Sequence, residues 1–97
     1  MADKTKQPAL RGKVHPGAIL REDVLPELGM TQAVFADAIG VSRQTVSAVL
    51  NERRSISVDF AKRLSAALGG SAESWLTMQL YYDLAHSPDV KVKRIAA

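Results

Sequence analysis

Between Gln32 and Asn51, in "QAVFADAIGVSRQTVSAVLN", a small residue, a glycine and two valines stand at offsets 4, 8, 14 and 17 from Gln32. They are Ala36, Gly40, Val46 and Val49. Their spacing is a steric specification. Two short helices that cross closely need a small side chain at the crossing, which Ala36 supplies. The turn between them needs a backbone free of Cβ conflict, which Gly40 supplies. Val46, Val49 and Leu50 then anchor the second helix, and Phe35, Ile39 and Val41 form the apolar surface opposite.

Local signals divide the rest of the chain into helices of similar size. Pro16 suits a first helical turn, Ile19, Leu20 and Val24 make an apolar stripe, and Pro26 and Gly29 are expected to end that helix. Thr31 caps the next, with Val34, Phe35, Ala38 and Ile39 at helical spacing, and Gly40 stops it. Ser42 caps a third helix that runs to about Asn51, and "NERRSIS" is a loop. Ser57 opens a fourth, predicted to turn Phe60, Ala61, Leu64, Ala67 and Leu68 inward until Gly69 and Gly70. Ser71 caps a fifth, which stops near Pro88. Strand-like alternation is confined to "DVKVKRI", which would form a short edge strand if ordered, with disorder the favoured expectation. The pattern predicts an all-α fold of five helices: a flexible basic arm over residues 1–14, a domain over 15–87 with its motif at 32–51, and a tail over 88–97.

Two short helices joined by a tight turn are a helix-turn-helix, a unit that sets its second helix in the DNA major groove. The dress of the second helix agrees. At about 100° per residue from Arg43, the anchors Val46, Val49 and Leu50 fall between roughly 240° and 340°. Gln44, Ser47, Ala48 and Asn51 fall between roughly 40° and 140°, the opposite face. Arg43 lies between the faces, with a side chain long enough to reach outward. Arginine and glutamine read guanine and adenine bidentately, and Ala48 allows close approach to a thymine methyl. Gln32, Ser42, Asn51, Arg53 and Arg54 fall where phosphates would run and would fix register without reading sequence.

Charge points the same way. The formal net charge is +3, but its distribution is uneven. Residues 1–13 hold Lys4, Lys6, Arg11 and Lys13 against Asp3, and residues 41–70 hold five Arg and Lys against Glu52 and Asp59. Acidic residues prevail between these segments. A polyanion is the partner such an arrangement suits. The chain of 97 residues has no cysteine, which excludes disulfides and thiolate metal sites and fits a reducing compartment. It has no apolar run of the roughly 20 residues that a membrane span needs, and its N-terminus lacks a secretory apolar core. A soluble, cytoplasmic protein without a membrane partner is expected. Nothing groups Ser, His and acid for catalysis, spaces ligands for a metal, or builds a glycine-rich phosphate loop. His15 belongs to a helix entry and His86 to the polar edge or last turn of its helix, so neither an enzyme nor a cofactor is expected.

The fifth helix carries a separate signal. Taking Trp75 as zero, Gln79, Asp83 and His86 cluster between roughly 20° and 80°. Trp75, Leu76, Met78, Leu80, Tyr81, Tyr82 and Leu84 occupy much of the remaining circumference. That is wider than one core requires. A second buried face is implied, and Leu76, Leu80, Tyr81 and Leu84 are its candidates for contact with a second subunit or another partner.

The segment from Gln32 to Asn51 resembles the helix-turn-helix of the phage-repressor (Xre) class. The wider sequence, "HPGAILREDVLPELGMTQ", "GVSRQTVSAVLNERRSIS" and "SAESWLTMQLYYDL", resembles the HigA group of antitoxins over roughly residues 15–86. That resemblance implies a five-helix fold, a homodimer, an operator in the protein's own promoter, and neutralisation of a small basic RelE-like toxin that cleaves mRNA on the ribosome. Carried over by motif position, Arg43, Gln44, Ser47 and Ala48 would face bases. Gln32, Ser42, Thr45 and Asn51 would lie near phosphate or the groove edge. One departure is Glu52, which follows Asn51 where related proteins often have glycine. Two other classes share the motif: a stand-alone phage-like repressor with no toxin, and a protein-interaction module that keeps the shape without binding DNA. Co-purification with a toxin separates the first from an antitoxin, and indifference to Arg43 and Gln44 substitution marks the second.

Overall fold

The computed structural model describes residues 14–96, which form five helical rods joined by short turns, with no strand among them. The first rod, α1, is continuous through three segments: Pro16–Ile19, a π-helical turn over Leu20–Val24, and Leu25–Leu28. It is followed by α2 (Gln32–Ile39), α3 (Arg43–Leu50), α4 (Val58–Leu68) and α5 (Ala72–His86). The all-α expectation holds. The basic residues of the expected arm (Lys4, Lys6, Arg11, Lys13) lie outside the described residues.

Helix starts follow the capping residues. The hydroxyls of Thr31, Ser42, Ser57 and Ser71 accept the backbone N–H of Val34, Thr45, Phe60 and Ser74 at 3.1, 3.1, 3.0 and 3.1 Å. Each such cap contributes about 1 kcal/mol. At α1 the cap is a histidine: His15 Nδ1 accepts the Gly17 N–H at 2.9 Å.

Gly29 ends α1 as expected, in the left-handed conformation at φ 67°, but Pro26 does not mark its end: it stands inside the helix, which runs on to Leu28. The reason is the π turn just before it, in which the Leu25 N–H donates to the Leu20 carbonyl five residues back. A widened turn absorbs both the missing N–H of the proline and the bulk of its ring, which in a regular interior turn would cost about 3 kcal/mol.

The core comprises Leu20 and Leu25 of α1, Phe35, Ala36 and Ile39 of α2, Val46, Val49 and Leu50 of α3, Ile56 of the following loop, and Phe60, Ala61 and Leu64 of α4. Val24, Met30, Val41, Leu68, Trp75 and Leu76 close its edges. The small residue and the apolar anchors of the opening motif are all buried. Three apolar positions depart from expectation. Val34 and Ala38 lie on the exposed side of α2, and Ala67 is exposed at the rim of the inward arc of α4, in its last turn. The tail from Pro88 to Ala96 carries neither helix nor strand. Its alternation finds no sheet edge among the described residues, and a lone strand is not stable in water.

Candidate nucleic-acid interface

α3 is held from behind and at both ends, which leaves one side free. Behind it, the N-terminal turn of α1 approaches so closely that a Cβ on Gly17 would lie 1.8 Å from the Val49 carbonyl oxygen. Glycine is the one residue that fits there. At the front end, Gly40 makes the turn from α2 at φ 72°. Arg63 of α4 seals that turn by donating from Nη1 to the carbonyls of Ile39 (2.9 Å) and Gly40 (3.3 Å), while its Nε pairs with Asp59 at 2.8 Å. At the far end, Arg21 of α1 donates to the Leu50 carbonyl at 2.6 Å. None of these three, Gly17, Arg63 and Arg21, stood out in the sequence, because each acts on a backbone group more than 20 residues away. "HPG" alone hinted at the first.

On the free side, Arg43 and Gln44 are exposed, and Thr45, Ser47 and Ala48 are half-buried along the same helix. Arg43 stands 3.8 Å from Asp37 in an exposed, loose ion pair, worth little and readily exchanged for another anion. The Ser42 hydroxyl donates to Thr45 Oγ1 at 2.9 Å. The Asn51 amide is turned back on its own helix and donates to the Ser47 carbonyl at 2.9 Å. Gln32, Asn51, Arg53 and Arg54 are exposed, Gln32 in the first turn of α2 and the two arginines in the loop after α3. The structure therefore brings Arg43, Gln44, Ser47 and Ala48 onto one rigid element, with Gln32, Ser42, Thr45, Asn51, Arg53 and Arg54 around it.

Within the polar arc of α5, Gln79 is buried, 4 % exposed. Its Oε1 accepts the Ile56 N–H at 2.9 Å and its Nε2 donates to Asp83 at 3.0 Å. A buried backbone N–H needs a partner, and Gln79 is that partner. Gln79 therefore lies on the inward side of α5 with Trp75 and Leu76, which pack against the core, while Asp83 and His86 stay exposed. Leu80, Tyr81 and Leu84 are 53 %, 42 % and 65 % exposed, whereas Leu76 packs partly on its own core.

Behind the loop after α3 lies a polar cleft of about 110 Å³ between His15, Glu52–Ser55 and the Gln79–Asp83 turn of α5. His15 is 2 % exposed and meets the Tyr82 ring edge-on, and Tyr82 in turn stacks on His86. Burial pushes the His15 imidazole below its ordinary range, against the pull of Glu52 and Asp83. Hydrogen bonding to Glu22 raises Arg21 above an already high value, so that guanidinium stays charged. Among the described residues no group of His, Cys, Asp and Glu could hold a metal ion, and no helix is long and apolar enough to cross a membrane.

Comparison with known proteins bears on this arrangement. A family model described as helix-turn-helix matches residues 20–75. Virulence-associated protein I of Dichelobacter nodosus is 42% identical over 83 residues, covering 86% of this chain and 73% of that protein. Antitoxin HigA-1 of Vibrio cholerae serotype O1 is 38% identical over 74 residues, covering 76% of this chain and 70% of its own length. Among solved structures, the Pseudomonas aeruginosa antitoxin HigA with the higBA promoter superposes with a TM-score of 0.72 at 42% identity, covering 74% of this chain and 78% of that one. The family is one of DNA-binding antitoxins and regulators rather than enzymes, in keeping with the sequence expectation. A motif with this packing, matched over more than half its length and at this identity, identifies the chain as a member of the helix-turn-helix family, among its HigA-type Xre antitoxins.

Proposed function

We propose that the protein is a DNA-binding antitoxin that represses its own operon and neutralises a small, basic, RelE-like mRNA-cleaving toxin in the cytoplasm. The observation that carries the DNA-reading part is the free face of α3. Arg43 and Gln44 are exposed on a helix whose Val46, Val49 and Leu50 are fully buried, so the side chains suited to base edges sit on a rigid backing. Arg43, Gln44, Ser47 and Ala48 are assigned to bases. Gln32, Ser42, Thr45, Asn51, Arg53 and Arg54 are assigned to phosphate or the groove edge. A relative solved with promoter DNA supports the same reading.

The protein acts as a homodimer in this reading. The exposed Leu80, Tyr81 and Leu84, flanked by Leu76, offer the second subunit a self-complementary surface, and two subunits would address two operator half-sites. The toxin part rests on kinship with antitoxins.

Fluorescence anisotropy with a duplex from the protein's own promoter, against a scrambled duplex at two salt concentrations, tests the DNA reading. Preference for the promoter duplex, weakening as salt rises, is expected. Equal binding to both duplexes, or none, refutes it. Co-expression with the neighbouring open reading frame tests the toxin part: a stable complex that relieves growth arrest is expected, and growth arrest unrelieved by this chain refutes it.

A further inference from the structure

After Asn51 the backbone turns through Glu52 at φ 62°, the one non-glycine residue of positive φ among those described. A side chain is strained there, and glycine avoids the strain. The glutamate has an offsetting contact. Its Oε2 receives Arg21 Nη1 at 3.3 Å, and that same nitrogen donates to the carbonyl of Leu50, the last residue of α3. Arg21 Nη2 is held by Glu22 at 2.9 Å. One guanidinium therefore ties α1, the end of α3 and the loop beyond it. It also sets a cation at the negative end of the α3 dipole, on a carbonyl that the helix leaves unpaired. Ahead of α3, Arg63 grips the carbonyls of Ile39 and Gly40, which end α2 and make the turn into α3.

An arginine near an operator would ordinarily count as a phosphate ligand. Arg21 is unsuited to that. Its terminal nitrogens face two carboxylates, Glu22 and Glu52, and a backbone carbonyl, so a phosphate would have to displace bonds already made and approach two like charges. A helix that reads bases must be held to within a fraction of an ångström, and this contact is placed to do that.

We propose that Arg21 and Glu52 form a clamp that sets the position of α3 for base reading, with Arg21 a positioning residue rather than a phosphate ligand. The proposal rests on the DNA-reading role of α3. Glu52 stands in a backbone conformation suited to glycine because its carboxylate completes the clamp.

The test measures binding to the promoter duplex and to a scrambled duplex for the parent protein, Arg21→Lys, Glu52→Gly and the double variant, with melting temperatures alongside. Lysine keeps the charge but lacks the planar fork. Arg21→Lys is expected to shrink the promoter preference about tenfold, comparable to one misplaced base contact, with scrambled-duplex binding nearly unchanged. Glu52→Gly removes a negative charge and tightens both duplexes, so the ratio is what is read. That ratio is expected to fall while the melting temperature does not, because glycine relieves the strained turn. A purely structural contact would move the melting temperature and leave the ratio alone. The double variant should lose no more preference than Arg21→Lys, since the two act as one unit.

An unchanged ratio in a folded Arg21→Lys overturns the clamp, as does equal weakening on both duplexes, which would mark Arg21 as a phosphate ligand. If Arg21→Lys does not fold, Glu52→Gly decides. A parent protein without promoter preference overturns the DNA reading itself, and this inference with it, a failure distinguishable because the parent is measured first.

Discussion

At the scale of single residues, tolerance is set by backbone approach more than by side-chain volume. Gly17 is the extreme case, with its missing Cβ position 1.8 Å from the Val49 carbonyl oxygen. Gly17→Ala must push α1 off α3, and it should destabilise the fold by about 3 kcal/mol, the upper part of the range for overpacking. Urea denaturation checks this, and a midpoint equal to the parent's would contradict the packing described. His15 makes the fold sensitive to pH. Its Nδ1 accepts a hydrogen bond only when unprotonated, and burial lowers its affinity for the proton below the ordinary 6.5. In the unfolded chain the imidazole takes up a proton near pH 6.5, before the folded state does, so stability is full above that pH and declines as pH falls below it. The decline levels off below the folded value. Glu52, Asp83, Arg21, Tyr82 and the Arg54 backbone face the ring from the other elements. His15→Asn keeps a capping acceptor and should flatten the slope of the urea midpoint between pH 7.5 and 5; an unchanged slope would assign the dependence elsewhere.

Among the elements, α3 is the one to whose two faces we assign different duties, and substitution should separate them. Arg43→Ala or Gln44→Ala removes an exposed side chain and should leave the melting temperature within about 2 °C, as surface changes do. Each should nevertheless weaken promoter binding by about 1–3 kcal/mol. Val46→Ala on the opposite face should do the reverse in the first instance, lowering stability by about 2 kcal/mol through an unfilled core position. Paired melting and anisotropy measurements check both. Loss of stability in the Gln44 variant, or intact binding in both surface variants, would refute the division of faces. α1 carries its own lesson. Its π turn at Leu20–Val24 lets a proline stand inside a helix, so that Gly29 and not Pro26 sets the end of the element.

For the whole molecule, the outer face of α5 is the feature a lone chain does not explain. Leu80, Tyr81 and Leu84 are large, apolar and exposed, and grouped exposed apolar residues mark interaction surfaces. If the proposed homodimer forms through this face, the parent should sediment as a dimer and Leu80→Asp with Leu84→Asp as a monomer, with the helical content unchanged. It should also weaken promoter binding, since each monomer would address one half-site alone. A variant that remains dimeric would move the interface elsewhere.

How much of this was readable in advance depends on how far each determinant reaches along the chain. Thr31, Ser42, Ser57 and Ser71 cap helices through contacts three residues away, and Ala36, Gly40, Val46 and Val49 follow helical spacing. Local and periodic signals of that kind determine five helices, a helix-turn-helix and a polar face on α3 by themselves. The inward side of α5 was not legible, because Gln79 looks like solvent-facing glutamine until the unpaired N–H of Ile56, 23 residues away, is brought beside it. Arg21 and Arg63 look like surface charge until they meet the carbonyls that end α3 and α2, respectively. Glu52 was visible as a departure, but the guanidinium that offsets its strained turn was not. Helix and cap are decided by neighbours in sequence. Which polar group satisfies which distant backbone atom is decided only when packing removes the water that would otherwise have served.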